Sequence, residues 1–331
     1  MHVVVTGAAG FLGSLLSRAL LKAGPLSLGG GPPEKLSGLT AVERFPPPDG
    51  IASDPRVRVV TGDLLELLGE GGPGVLDGAS AVVHLAAAVS SECEQDFDLG
   101  MRANVECSRL LLEAARGSGT RPLFVFASSL AVYGAWPGQP MPEVVTDATL
   151  PTPRSSYGIQ KLVVEQLVAD YTRKGFVDGR CVRLMTVSVR PGRPNAAASS
   201  FLSGIIREPL AGERAVCPVP AETRVALSSP QRTLEGLMKA LTASAEEWGP
   251  PTAFPLPALE LTVAEMVAAL EVVGGPEAAG LVDWEPDEAI TDIVAGWPSR
   301  FDAARARQLG LVADADFADV VRRYVSQVSP S

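Results

Sequence analysis

Several residue types are scarce in this chain of 331 residues, and each scarcity excludes a kind of protein. Four cysteines, at 93, 107, 181 and 217, form no C-x-x-C pair, and only two histidines accompany them, which argues against a zinc site or a disulfide framework. No apolar run approaches the ~20 residues needed to span a bilayer, and the start shows no secretory leader. We therefore expect a cytosolic protein with reduced thiols and no membrane segment.

Positive charge is also in short supply. The chain has 28 Lys and Arg against 38 Asp and Glu, a net charge of −10. This sign repels phosphate backbones and anionic lipid surfaces at long range, so nucleic acid is not expected as a partner. Apolar residues, at 46%, are abundant enough for a sizeable core, and the length suggests two lobes.

Apolar patterning in the first part of the chain alternates between strands and helices. Strand patterns occupy residues 2–6, 39–45, 56–61, 79–85, 123–127 and 180–190, and helical patterns occupy about 97–117 and 155–174. Such alternation predicts an α/β fold of the Rossmann type, with a doubly wound parallel sheet, over residues 1–190. A Gly/Pro-rich stretch at 24–38 is predicted to be irregular.

From Pro191 onward the pattern breaks into loops and short elements, which predicts a smaller C-terminal, substrate-binding lobe over 191–331. Segments at about 223–247 are expected to return to the first lobe. One clear helix begins after Thr262, where Thr262 and Glu265 fit a capping box. Another is predicted near the end, from Phe317.

The first motif is a glycine-rich turn between the first strand and the first helix. It reads Gly7-Ala8-Ala9-Gly10-Phe11-Leu12-Gly13. Glycines let the backbone approach a pyrophosphate, whose charge is met by the free N–H groups of the following helix. In this strand–turn–helix context the pattern predicts a dinucleotide site, and a merely structural turn is the alternative.

An acidic residue at the end of the second strand commonly accepts hydrogen bonds from the adenosine ribose. Glu43 occupies that position and favours NAD over NADP, although Arg44 beside it would accommodate a 2′-phosphate if it turned inward. A solvated strand end is the alternative for Glu43. Asp63, after the third strand, is a candidate for the adenine amino group or a turn cap.

A second motif pairs Tyr157 with Lys161 on a predicted helix, where residues four apart share a face. A neighbouring ammonium favours the phenolate and makes tyrosine a usable base. Ser129 ends a strand at the carboxyl edge of the sheet, where ligands of such folds bind. The three residues together predict a catalytic centre.

The ordered motifs TGAAGFLG, GDL at 62–64, HLAAAVS at 84–90, SSLAVYG at 128–134 and YGIQK at 157–161 resemble the extended short-chain dehydrogenase/reductase superfamily, the NAD-dependent epimerases and dehydratases. The resemblance implies that Ser129 holds the substrate oxygen, Tyr157 is the acid/base and Lys161 binds the nicotinamide ribose. It also implies cofactor contacts from Leu64, Leu85, Ala86, Ala87 and Asn104, with Asn104 mainly structural.

The second half, including RCVRLMTVSVRPGRPN and AGWPSRFDAARARQLG, resembles the branch of that superfamily that oxidises aldonates with NAD. The implied reaction is oxidation of D-erythronate at the C2 hydroxyl to the 2-oxo acid. The resemblance also implies a homodimer joined through the helices at about 97–117 and 155–174.

A carboxylate substrate needs cationic donors, and the stretch from 190 to 232 supplies candidate arginines at 190, 193, 207, 224 and 232. We expect Asn195, Ser199 and Arg207 to contact the substrate, with surface ion pairing as the alternative for each arginine.

Two other functions compete. A nucleoside-diphosphate-sugar epimerase or dehydratase would use the same serine, tyrosine and lysine while keeping its NAD tightly bound. A non-catalytic dinucleotide sensor would keep the glycine turn but would not need the Tyr-x-x-x-Lys pair.

Overall fold

The structure, a computed structural model, describes residues 1–69, 74–192 and 197–328. Its strands are β1 (His2–Thr6), β2 (Gly38–Glu43), β3 (Val57–Thr61), β4 (Ala81–His84), β5 (Leu123–Ser129), β6 (Val145–Thr146), β7 (Asp178–Leu184), β8 (Thr186–Val187), β9 (Ala215–Cys217), β10 (Arg224–Ser228), β11 (Phe254–Pro255), β12 (Leu259–Thr262), β13 (Val282–Trp284) and β14 (Phe301–Asp302).

Its α-helices are α1 (Phe11–Lys22), α2 (Asp49–Ala52), α3 (Leu64–Leu67), α4 (Ser90–Gln95), α5 (Phe97–Gly100), α6 (Cys107–Gly117), α7 (Ser156–Arg173), α8 (Phe201–Leu210), α9 (Pro230–Thr242), α10 (Ala245–Trp248), α11 (Val263–Ala279), α12 (Glu288–Ala295), α13 (Ala304–Gln308) and α14 (Phe317–Val328). In the described part of the chain, none combines the length and apolarity that crossing a membrane requires.

Seven parallel strands form the main sheet in the order β3-β2-β1-β4-β5-β7-β11. The strand order reverses between β1 and β4, and open α/β sheets bind ligands in the crevice at such a point. Val3, Val4 and Val5 are fully buried because helices cover both faces. Leu16 of α1 and Leu237 of α9 lie in the core on one face, and other helices cover the second. The predicted Rossmann-type fold is confirmed.

Three segments differ from their predicted form. The predicted strand at 180–190 divides into β7 and β8, because β8 pairs with β10 of a separate three-stranded sheet. The predicted helix at 97–117 consists of α5 and α6 joined by a π-helical turn over Met101–Glu106. The stretch at 24–38 contains one short 3-10 turn at Leu28–Gly30 before β2 begins.

A separate core lies beyond the main sheet and is built largely from α8, α11 and α14. Ile205, Met266 and Val321, one from each of these helices, are fully buried in it. The capping box predicted at the start of α11 is confirmed, since the Glu265 amide donates to Thr262 Oγ1 at 3.2 Å and the Thr262 amide donates to Glu265 Oε2 at 2.6 Å. This second core faces the carboxyl edge of the sheet through β8 and the chain that follows it.

Candidate active site

The glycine turn links β1 to α1 and fits tightly against its neighbours. Gly7 has φ +72°, and a Cβ on it would lie 2.7 Å from the Ala86 nitrogen. A Cβ on Gly13 would lie 2.0 Å from the Gly7 carbonyl oxygen. The first turn of α1 has neither an acidic residue nor a side-chain cap, so its N–H groups point into the crevice without a side-chain partner. An anionic pyrophosphate fits this turn.

A cavity of about 300 Å³ lies on the β2 side of the turn. Among the predicted cofactor residues, it is lined by Gly7, Gly10, Glu43, Asp63, Leu64, Leu85, Ala86 and Ala87. Glu43 accepts a hydrogen bond from the Arg44 amide, and the Arg44 guanidinium pairs with Asp63 at 3.1 Å. Asp63 also caps α3 by accepting from the Leu65 amide. Asp63 therefore caps α3, the alternative role predicted for it, and also lines the cavity.

A second cavity, of about 290 Å³, opens over the carboxyl ends of β5 and β7. Phe11, Leu12 and Gly13 line it on the cofactor side, and Ser129, Tyr157 and Lys161 line it opposite. α7 begins after Ser155, whose hydroxyl accepts from the Gly158 amide, so that Tyr157 lies in its first turn. The Lys161 ammonium donates to the Ala127 carbonyl at 2.9 Å and lies 5.5 Å from the centre of the Tyr157 ring. The predicted catalytic residues thus meet in one cavity.

Burial controls the ionisation of this pair. It raises the pKa of Tyr157 to about 12, although a hydrogen bond with Ser129 opposes the rise. Burial also lowers the pKa of Lys161 to about 8, although the nearby Cys93 and Glu165 act to raise it. Burial is the largest influence on Tyr157, and it favours the neutral phenol in the isolated protein.

Among the described residues, the arginine that lines this cavity is Arg190, which follows β8. In the described part of the chain no carboxylate pairs with its guanidinium, and burial beside Arg207 lowers its pKa. Its charge also acts on Tyr157. An unpaired cation next to the phenol suits an anionic group of a substrate.

The three expected substrate contacts lie in different places. Ser199 lines the catalytic cavity. Arg207 does not; it is buried in α8, where it donates to the Arg190 carbonyl at 2.9 Å and pairs with Glu208. Asn195 lies outside the described residues. Arg207 therefore holds the backbone of Arg190 and does not line the cavity itself.

Two buried polar residues sit behind the site. Asn104 accepts from the Ala88 amide at 2.8 Å and donates to Gln160 Oε1 at 2.7 Å, which ties the loop after β4 to α7. It lines neither cavity. His84 bridges Thr6 and Ser108, and burial lowers its pKa to about 3. His84 is therefore a neutral core residue.

Sequence reasoning did not single out Ser90, Thr186 or Trp297, all of which line the catalytic cavity. Ser90 is the last residue of the HLAAAVS motif at 84–90. Trp297 lies in AGWPSRFDAARARQLG, one of the segments on which the family resemblance is based. These residues are far from Tyr157 in the sequence and reach the same cavity only in the folded chain. Local sequence patterns therefore could not predict that they line it.

The fold, the glycine turn and the Ser129–Tyr157–Lys161 cluster define a nicotinamide-dinucleotide enzyme of the Rossmann type. The chain belongs to the NAD-dependent epimerase/dehydratase family, whose model matches residues 3–225.

Relatives with a named activity extend the likeness to the whole chain. The D-erythronate dehydrogenase of Cupriavidus necator is 48% identical over 98% of both chains, and that of Haemophilus influenzae is 40% identical over 98% of this chain and 99% of its own. The crystal structure of a nucleoside-diphosphate-sugar epimerase from Agrobacterium tumefaciens, 39% identical, superposes with a TM-score of 0.88 over 99% of this chain and 94% of that one. The likeness therefore includes the second lobe.

Proposed function

We propose that the protein is an NAD-dependent dehydrogenase that oxidises the C2 hydroxyl of a small aldonate, with D-erythronate as the favoured substrate and 2-oxo-tetronate as the product. The observation that carries the proposal is Arg190, which lies beside Tyr157 in the catalytic cavity and pairs with no carboxylate among the described residues. The two D-erythronate dehydrogenases that match the chain over nearly its full length support the same substrate.

Within this proposal, Tyr157 acts as a phenolate that accepts the proton of the C2 hydroxyl, and Ser129 holds the same oxygen by a hydrogen bond. Bound NAD would supply the hydride acceptor for C2, and the positive charge of its oxidised ring would favour the phenolate. Lys161, held by the Ala127 carbonyl, supplies the fixed cation next to Tyr157. Acid/base catalysis of this kind contributes about 10²–10⁴-fold.

Arg190 would hold the substrate carboxylate, with Ser199 as a further donor. Because the carboxylate is bonded directly to C2, a carboxylate at Arg190 brings the C2 hydroxyl within the reach of Tyr157. Arg207 would act through Arg190, whose carbonyl it already holds. The cavity volume of about 290 Å³ is at the low end of the roughly 300–1,000 Å³ typical of ligand sites, which favours a small substrate.

We propose NAD rather than NADP. Glu43 at the end of β2 would accept from the ribose hydroxyls and repel a 2′-phosphate. Arg44, the residue that would favour NADP, is engaged with Asp63. The pyrophosphate would lie on Gly7, Gly10 and Gly13, and Leu64, Leu85, Ala86 and Ala87 would line the adenosine and ribose side.

The proposal also includes a homodimer and two lobes, one that binds NAD and one that binds the substrate. The segment that carries Phe97 and Met101 packs against α7, which carries Ile159 and Val163, and all four are large apolar side chains with 38–61% exposure. A second copy that covers this face would bury them and brace the helix that carries Tyr157. The NAD-binding lobe would comprise residues 1–190 with α9, and the substrate lobe the rest of residues 191–331.

The alternative is a nucleoside-diphosphate-sugar epimerase or dehydratase, which the similarity to the Agrobacterium epimerase structure favours. Such an enzyme would use the same serine, tyrosine and lysine, and Arg190 would suit a diphosphate.

A substrate panel tests the proposal. Purified protein is mixed with NAD or NADP and with D-erythronate, the other four-carbon aldonates or UDP-glucose, and reduced cofactor is followed by absorbance. Steady NADH formation with a four-carbon aldonate is expected. Conversion of UDP-glucose with no net reduction of the cofactor would instead establish the alternative.

A further inference from the structure

Three successive turns of α7 each hold one residue of β5. Tyr157, Lys161 and Glu165 lie four residues apart and share one face of the helix. Tyr157 hydrogen-bonds Ser129, and Lys161 donates to the Ala127 carbonyl. The remaining contact joins Glu165 to the residue between them.

Glu165 is the centre of a buried polar cluster. Its Oε1 accepts from the Ser128 hydroxyl at 2.5 Å and from Arg183 Nε at 2.9 Å, and its Oε2 accepts from Arg183 Nη2 at 2.7 Å. Arg183 also donates to the Tyr133 hydroxyl at 2.6 Å. Glu165, Arg183 and Ser128 are each at most 5% exposed. An ion pair this deep is costly to desolvate, so its retention calls for a role beyond stability.

The cluster joins the elements that carry the catalytic groups. Glu165 stands one turn after Lys161 on α7, Ser128 precedes Ser129 on β5, and Arg183 lies near the end of β7. Any shift of α7 along β5 would break several of these hydrogen bonds at once. The cluster therefore fixes the separation between Ser129 and the Tyr157–Lys161 pair.

Charge gives the cluster a second effect. The titratable groups that act on or stand near Lys161 are Tyr157 and Glu165 of α7, Cys93 of α4, His84 of β4, and Cys181 and Arg183 of β7. Burial raises the pKa of both thiols and lowers that of His84, and Glu165, ion-paired with Arg183, is the carboxylate of this set. Its charge supports the protonated form of Lys161.

We propose that Glu165, clamped by Arg183 and Ser128, is a positioning residue for the reaction: it fixes the Tyr157–Lys161 pair against Ser129 and keeps the lysine cationic during turnover. This inference rests on the proposed roles of Tyr157 and Lys161. Glu165 itself touches neither the cofactor nor the substrate.

The matched control is an ion pair on β7, the strand that also carries Arg183. Asp178 pairs with Arg180, a fully buried arginine at the other end of β7, away from the cavity. Glu165→Gln and Asp178→Asn each remove a carboxylate from a buried arginine and leave an amide of the same size. Ser128→Ala removes a single hydrogen bond on Glu165 and serves if Glu165→Gln does not fold.

For each variant, kcat, KM, the pH profile of kcat, the NAD dissociation constant and Tm are measured. We expect Glu165→Gln to lower kcat by about 10–100-fold, as a small misplacement does. Its KM values and NAD dissociation constant should change much less. The alkaline limb of the profile should move to lower pH by roughly one unit, because Lys161 loses a nearby opposite charge. Ser128→Ala should lower kcat by a smaller factor, whereas Asp178→Asn should lower Tm and leave kcat and the pH profile unchanged.

Equal kcat values and equal pH profiles for Glu165→Gln and Asp178→Asn would overturn the inference, as would a wild-type kcat for Ser128→Ala. Tyr157→Phe separates this failure from failure of the proposed function. If Tyr157→Phe retains turnover, the catalytic assignment itself fails. If Tyr157→Phe is inactive while Glu165→Gln matches its control, only the positioning role fails.

Discussion

Replacement of Arg190 by methionine tests whether this enzyme selects an acid. The methionine keeps an unbranched side chain of similar reach but removes the cation beside Tyr157. A hydrogen bond to a charged group contributes about 1.5–3 kcal/mol, and about 1.4 kcal/mol corresponds to a factor of ten. The expected loss in kcat/KM for D-erythronate is therefore about 10–150-fold. Because Arg207 remains close by and still attracts an anion, the lower half of that range is expected.

The assay compares an acid with a neutral alcohol of the same length. Arg190 also acts on Tyr157, so some loss of turnover is expected for any substrate. The ratio of kcat/KM for D-erythronate to that for erythritol isolates the carboxylate contact. Arg190→Lys should recover part of the ratio, since it restores the charge without the two-pronged donor. Arg224→Met, which alters an exposed arginine paired with Glu260, is the control. An unchanged ratio in Arg190→Met would refute the carboxylate assignment.

Three further predictions concern catalysis, cofactor binding and pH. Tyr157→Phe should abolish most turnover and leave the NAD dissociation constant, measured by calorimetry, nearly unchanged; retained turnover would contradict its role. Gly13→Ala should fold poorly or lose NAD affinity, because the new Cβ would lie 2.0 Å from the Gly7 carbonyl oxygen, and wild-type affinity would argue against the tight turn. The pKa of His84 is lowered to about 3 by burial, so the unfolded state takes up the proton first and stability should fall between pH 6.5 and 3. His84→Gln should show a shallower fall of Tm over that range, and an identical slope would mean that His84 contributes nothing.

Local spacing was sufficient to predict the centre of the site. A strand, a glycine turn and a helix must follow one another directly to bind a pyrophosphate, and Tyr157 and Lys161 share a helix face. Both are short-range patterns, which is why residues 7–13 and the Tyr157–Lys161 pair could be located before the fold was known. The prediction of a doubly wound sheet rested on the same kind of signal.

The substrate side could not be predicted in this way. The candidate arginines between 190 and 232 are equivalent in sequence, and their roles separate only when partners from other elements are known. Arg207 finds Glu208 and the Arg190 carbonyl, whereas Arg190 keeps a free guanidinium among the described residues. The raised pKa of Tyr157 could not be predicted for a related reason. Its largest cause is burial, which is a property of the folded chain.

Transfer of a label from C2 tests the central claim most directly. D-Erythronate deuterated at C2 is incubated with the protein and NAD, and the reduced cofactor is analysed by mass spectrometry. We expect one deuterium in each NADH formed, together with slower turnover than for the unlabelled acid if hydride transfer limits the rate. Unlabelled NADH would contradict oxidation at C2, and the absence of any NADH would contradict a dehydrogenase acting on this acid.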